Sequence, residues 1–124
     1  MFYFYFSYKN MKTITLKYGK EDINGQSTFF STIGVLKVAI NNIPKDSGIN
    51  VSEMARRMRL LEILNQYPEY DVFESDFSDG LLNNSKTIEI EDADFLKLKE
   101  LFQEVKWRVV SKFIINLSQE LNSK

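Results

Sequence analysis

The chain is 124 residues long with a formal net charge of −1, and 44% of its residues are hydrophobic, which fits one domain with a real core and excludes a disordered chain. It has no cysteine and no histidine, so disulfides, thiolate chemistry, Ser-His-Asp or Cys-His catalysis and histidine-bound metals are unavailable to a single copy. Ten Phe, six Tyr and one Trp give it unusually many large side chains for a core or an interface.

In chain order, residues 1–10 form an aromatic extension in which Phe2, Phe4 and Phe6 alternate with Tyr3 and Tyr5. Two readings stay open: a strand or aromatic plug, or translation from upstream of a native start at Met11. The segment lacks the basic region and cleavage site of a signal peptide, and no apolar run approaches the ~18–20 residues needed to span a bilayer. The remainder, residues 11–124, reads as a single domain. Residues 12–18 alternate, with Ile14 and Leu16 on one face, and are predicted to form a strand.

Residues 28–43 are predicted to form a helix capped by Ser27 or Thr28. Phe29, Ile33, Leu36, Ile40 and Ile43 share one face, while Phe30, Val35 and Val38 lie off it. A helix apolar on more than one side is either central to the core or completes an interface. After a turn through Pro44 and Gly48, Ser52 is the expected cap of a helix over 53–66. Its core face is expected to carry Met54, Met58, Leu61 and Leu64, with Arg56 and Arg59 opposite and Arg57 between Leu61 and Leu64. Arg57 is expected to snorkel, to form a structural ion pair, or to present its guanidinium in a groove.

Residues 70–77 and 86–90 are predicted to be short strands of a wide hairpin, with turns at Ser78-Asp79-Gly80 and Asn83-Asn84-Ser85. A helix follows from Glu91 to about Lys106, with Phe95, Leu98, Leu101, Phe102 and Val105 as its stripe and acids at its N-terminus. The last helix, near 109–121, carries Val110, Phe113, Ile114, Leu117 and Leu121. A break near Trp107 would make a helical hairpin; one long bent helix is the alternative. The fold class that follows is α+β, a small antiparallel sheet packed against three or four helices.

The chemistry-bearing patterns are few. The five glycines are scattered, with no phosphate-binding loop. Residues 69–94 hold nine acids and one lysine, a net of −8. Asp71, Glu74, Asp76 and Asp79 are hard oxygen ligands, but their spacing does not match a calcium loop, and no cofactor or metal is expected. An acidic segment is either a solvated face or a surface that steers toward a basic partner. The Arg-bearing helix after a turn resembles half of a helix-turn-helix, with Arg56 and Arg59 reaching phosphates. A segment at −8 and a pI of about 5.5 oppose that reading.

Three stretches carry a resemblance: L-x-x-A-I-x-x-x-P (Leu36 to Pro44), G-I-x-V-S-E-M-x-R-R-x-R (Gly48 to Arg59), and I-E-I-E-D-A-D-F-x-x-L-K (Ile88 to Lys99) followed by Lys106-Trp107. Together, over roughly residues 12–121, they resemble small accessory proteins of phages and prophages. The resemblance implies a host-cytoplasmic setting and an inhibitor of host defence, such as an anti-CRISPR protein, or an assembly or regulatory factor. It brings no catalytic signature. The expectation is therefore a non-enzymatic protein-binding factor that meets a host or phage protein, one with a basic nucleic-acid-binding surface. Its contact residues would be Asp71, Glu74, Asp76 and Asp79 together with Phe30, Val35 and Val38. The alternatives are a DNA-binding regulator using Arg56 and Arg59, and a structural or assembly protein that forms homo-oligomers. No membrane association is expected.

Overall fold

A computed structural model describes residues 10–67 and 81–124, the backbone alone for 81–85. Its elements run β1 (Met11–Ile23), β2 (Gln26–Ser31), α1 (Thr32–Ile40), α2 (Val51–Leu64), β3 (Leu81–Glu91), α3 (Asp92–Glu104) and α4 (Lys112–Asn122). The three strands form one antiparallel sheet in the order β2-β1-β3. Sheet and helices coexist as the α+β reading requires; the expected strands 12–18 and 86–90 lie within β1 and β3, and 26–31 joins them as a strand that was not expected.

The largest departure lies at residues 24–31. Asn24 and Gly25 both adopt positive φ, 53° and 83°, the backbone of a tight two-residue hairpin turn. The chain therefore reverses at once, and 26–31 pairs with 18–23. Thr28, Phe29 and Phe30, expected in a helix, lie in β2, and the helix begins only at Thr32, capped by Ser31, whose Oγ accepts the Gly34 N–H at 2.9 Å. Its end at Ile40 precedes Pro44, as expected of a terminator.

The strand expected at 70–77 and the turn at 78–80 lie outside the described residues, as do Asp71, Glu74, Asp76 and Asp79. Asn83, Asn84 and Ser85, expected as a turn, belong to β3. The register accommodates them: Thr15 faces Thr87 while Lys17 faces Asn83, so Leu16 stands opposite three residues. This is a bulge, which bends the longer strand without ending it.

The core gathers Ile14, Leu16 and Tyr18 of β1, Ile88 and Ile90 of β3, and the inner faces of all four helices. Helices α1 and α3 pack on one another, α2 packs on α1, and α4 packs on α3 and β1. The stripe of α3 is buried as expected through Phe95, Leu98, Leu101 and Phe102. In α2 the expected core face is rotated. Asn50, not Ser52, caps the helix, accepting the Glu53 N–H at 2.8 Å. Arg57, Leu60 and Leu64 point inward, whereas Met54 and Met58 are half exposed. The Arg57 guanidinium explains the rotation. Its Nη1 donates to the carbonyls of Ile40 (2.9 Å) and Asn42 (2.8 Å), the open C-terminal end of α1, where a cation and a donor are both favourable.

Where β2 turns into α1, the flank of β1 would be left bare from Thr15 to Lys17. Side chains take over. Thr32 Oγ1 accepts the Lys17 N–H (3.0 Å) and donates to the Thr15 carbonyl (3.2 Å). Glu120 of α4 accepts the Thr15 N–H at 2.7 Å. Thr32→Val keeps the shape and strands two backbone groups. It is expected to lower stability by about 1–2 kcal/mol in urea unfolding.

Candidate functional site

Beside the exposed row of Val51, Met54 and Met58 on α2, exposed apolar side chains gather around a groove where distant parts of the chain meet. One wall comes from the β2–α1 junction: Phe29, Phe30, Val35 and Val38. In α1, Ser31, Gly34, Val35 and Val38 follow helical spacing, so the helix has a second apolar side away from Ile33, Leu36 and Ile40. The other wall comes from the 105–111 connector and α4: Trp107, Val109 and Ile114. Between them lies an open groove of about 270 Å³. Trp107 also borders a second hollow of about 320 Å³, lined by Phe102, Val105, Ile115 and Ser118. The single tryptophan thus stands as the shared ridge between two depressions. Around it Phe29 is 40% exposed, Val38 52%, Val109 39% and Ile115 51%. A cluster of such side chains marks an interaction surface more than any one of them would alone.

The break between α3 and α4 is real and has a local cause. Helix α3 ends at Glu104, and Val105 leaves it in extended conformation. Helix α4 starts only at Lys112, so Val110, expected in its stripe, is 89% exposed instead. The N-terminus of α4 is held by two side chains. Ser111 Oγ accepts the Ile114 N–H (3.2 Å), and Glu21 of β1 accepts the Lys112 N–H (2.8 Å), the Phe113 N–H (3.2 Å) and the Ser111 hydroxyl. The carboxylate also suits the positive end of the helix. Two ring contacts then fix the walls: Phe30 stacks on Phe113 at 5.7 Å between centroids, and Phe102 leans on Trp107 at 5.5 Å.

Burial alone would raise the Glu21 pKa. The Ser111 hydroxyl, the Lys112 and Phe113 N–H groups and the Lys112 charge outweigh it and hold the carboxyl below its ordinary value. The ionised group therefore adds stability above the unfolded glutamate pKa of about 4.3, and this part is lost as pH falls through the lower folded value. Glu21→Gln should be less stable than wild type at neutral pH, by about 1–2 kcal/mol as for a lost helix cap. The two should converge in acid, which pH-resolved thermal unfolding by circular dichroism would read.

The sequence-predicted residues fare differently. Phe30, Val35 and Val38 converge on this groove: Val35 is a buried part of its wall, Phe30 is half-buried and Val38 stands at the rim. Arg56 is exposed on α2. Arg59 is already engaged by Asp94 through two parallel hydrogen bonds, Nε to Oδ1 at 3.2 Å and Nη2 to Oδ2 at 3.0 Å, with Glu91 at 3.9 Å. Part of the acidic run is therefore paired within the fold. Arg57 is structural, joined to Glu53 (3.8 Å), which accepts from Lys97 of α3 (2.8 Å). The Lys97 hydrogen bond, working against burial, holds the Glu53 carboxyl below its usual range.

Sequence reasoning missed Trp107, Phe29, Val109 and Ile115 as site residues. The available signal was the lone Trp107 between Lys106 and Arg108 at a helix break. No family model, curated protein or solved structure matches this chain. Among the described residues no three acids gather as a metal site would need, and no helix is long and apolar enough to cross a membrane.

Proposed function

We propose that this chain is a non-enzymatic protein-binding factor whose contact surface centres on Trp107. The observation that carries the proposal is the half-buried tryptophan ridge between two apolar hollows, rimmed by the exposed Phe29, Val38, Val109 and Ile115. Tryptophan seated in an apolar surround is the commonest kind of energetic anchor in protein interfaces. In the phage setting that the sequence pattern resembles, the partner is a host protein and the outcome inhibition of a defence system. The acidic residues Asp71, Glu74, Asp76 and Asp79 would act as a second, charged contact.

The DNA-binding alternative has less to support it. The connector from α1 to α2 covers residues 41–50, longer than the turn of about 3–4 residues in a helix-turn-helix unit. Arg59 would have to leave Asp94 to reach a phosphate. An assembly role would use the same apolar surface against a second copy.

The test is affinity capture from host lysate with wild type, Trp107→Ala and Val38→Asp, folding being checked by circular dichroism. A discrete partner retained by wild type and lost about 100-fold or more with Trp107→Ala is the expected result, as for an interface hot spot of about 3 kcal/mol. Retention of the same partner by both variants would remove this surface from the function. A salt-sensitive shift of duplex DNA, abolished in Arg56→Ala/Arg59→Ala, would replace the proposal with the regulator reading.

A further inference from the structure

Asn24 and Gly25 are the one Asn-Gly pair in the sequence, and the fold places them at the exposed tip of the β1–β2 hairpin. The side-chain amides of Asn41, Asn50 and Asn122 are engaged in hydrogen bonds. That of Asn24 has no partner among the described residues, and a Cβ at Gly25 would meet nothing within 4 Å. The Asn24 carboxamide therefore lies open beside the least hindered backbone N–H that can follow it. An asparagine so placed can close a ring on the next residue's nitrogen, one reason this residue type counts among the thermolabile ones.

The folded turn holds the two groups apart. Positive φ at both residues, 53° and 83°, is the type I′ turn of a two-residue hairpin. In that turn ψ of the first residue is about +30°, which swings the Gly25 nitrogen to the far side of the Cα–C bond from the Asn24 Cβ. Ring closure needs the nitrogen on the same side as Cβ. Turning it there undoes the hairpin tip and the pairing of Ile23 with Gln26.

We infer that Asn24 is a deamidation site guarded by its own hairpin. When β2 lifts from β1, the Gly25 nitrogen attacks Cγ of Asn24 as it gives up its proton to solvent. The bond from Cγ to the side-chain nitrogen breaks, and that nitrogen takes a proton and leaves as ammonia. Water then adds to one of the two carbonyls of the cyclic imide and opens it. The net change is one water consumed and one ammonia released, with no oxidant or reductant. Opening at one carbonyl gives an aspartyl residue, which suits the same turn. Opening at the other gives an isoaspartyl residue, which carries one more atom in the main chain. The two-residue turn sets the register of both strands, so the isoaspartyl form cannot close it again. Phe29 and Phe30 then leave the groove wall with β2. The site would record each opening of the hairpin irreversibly, whether or not the groove binds a partner.

The test incubates purified full-length protein near neutral pH, folded and in urea above its unfolding midpoint. Peptide mapping by mass spectrometry follows the mass gain of an amide becoming an acid. The expected result is reaction at Asn24 before any other asparagine in urea, and at least about 10-fold slower in the folded protein, where reaction waits on local opening. Gly25→Ala, compared in urea where folding is not at stake, should react several-fold more slowly. The isoaspartyl form, separated by chromatography, should show a loss of strand signal in circular dichroism and a shifted Trp107 emission.

Equal rates in folded and unfolded protein would overturn the inference, because the turn would then guard nothing. So would a faster reaction at Asn84 or Asn122, each followed by serine, or no reaction at Asn24 in urea. An isoaspartyl form with the spectra of the unreacted protein would overturn the irreversible release of β2.

Discussion

Arg57→Ala is expected to cost about 3 kcal/mol, the largest loss among the substitutions considered. The guanidinium is buried, 6% exposed, and closes the C-terminal end of α1 through the Ile40 and Asn42 carbonyls. Its removal leaves two backbone acceptors without their side-chain donor. It also takes one of two cations away from the Glu53 carboxylate, which keeps Lys97. Breaking a buried charged arrangement from one side costs about 3–5 kcal/mol in other proteins. The surviving Lys97 contact places this one at the lower end. Arg57→Lys should lose about half as much, because an ammonium can donate to both carbonyls as Nη1 does but sits on a shorter stem and is harder to desolvate. Urea midpoints at constant slope would measure both losses. Wild-type stability in Arg57→Ala would show that water or a rotated side chain satisfies the helix end.

Gly19→Val is expected to cost about 2–3 kcal/mol and to disturb the groove from beneath. A Cβ at residue 19 would stand 2.5 Å from Cδ2 of Phe113, closer than real carbon contacts allow. The ring is itself buried against the sheet and stacked on Phe30, so it cannot yield without opening that stack. Overpacking of this kind typically costs 1–3 kcal/mol. Because Phe30 lines the groove, binding should weaken along with stability. Phe113→Leu combined with Gly19→Val should recover part of the loss, and a double-mutant cycle would give the coupling. Additive losses would mean that the clash is relieved by backbone movement in β1.

The parts of this fold legible in the sequence are those whose partners are implied by their own periodicity. The stripe Phe95, Leu98, Leu101, Phe102 has one helical reading, and burial follows it. Phe113, Ile114, Leu117 and Leu121 behave likewise. The run from Thr28 to Ile43 did not have one reading, since a short apolar stretch fits strand or helix alike. The Asn24-Gly25 pair decided it, by setting residues 26–31 back against β1. In α2 the two methionines looked like core, but the open carbonyls of α1 competed for that face and an arginine met them better.

The site was half legible for the same reason. Val35 and Val38 could be placed on a second side of a helix from spacing alone, even with the helix start misplaced. Trp107 could be seen to interrupt a helix. That it faces Val38 from 69 positions away in the chain depends on how Glu21 seats α4, which no local pattern announces.

The seal that Thr32 and Glu120 place on the flank of β1 bears on how this protein fails. Both guards belong to elements that leave the sheet, and one is near the end of the last helix. Should α4 lift away, the Thr15 amide is uncovered in a stretch that alternates isoleucine and leucine with polar residues. Such a ribbon recruits further chains through its own backbone. Precipitation on mild heating should therefore begin before the sheet itself melts.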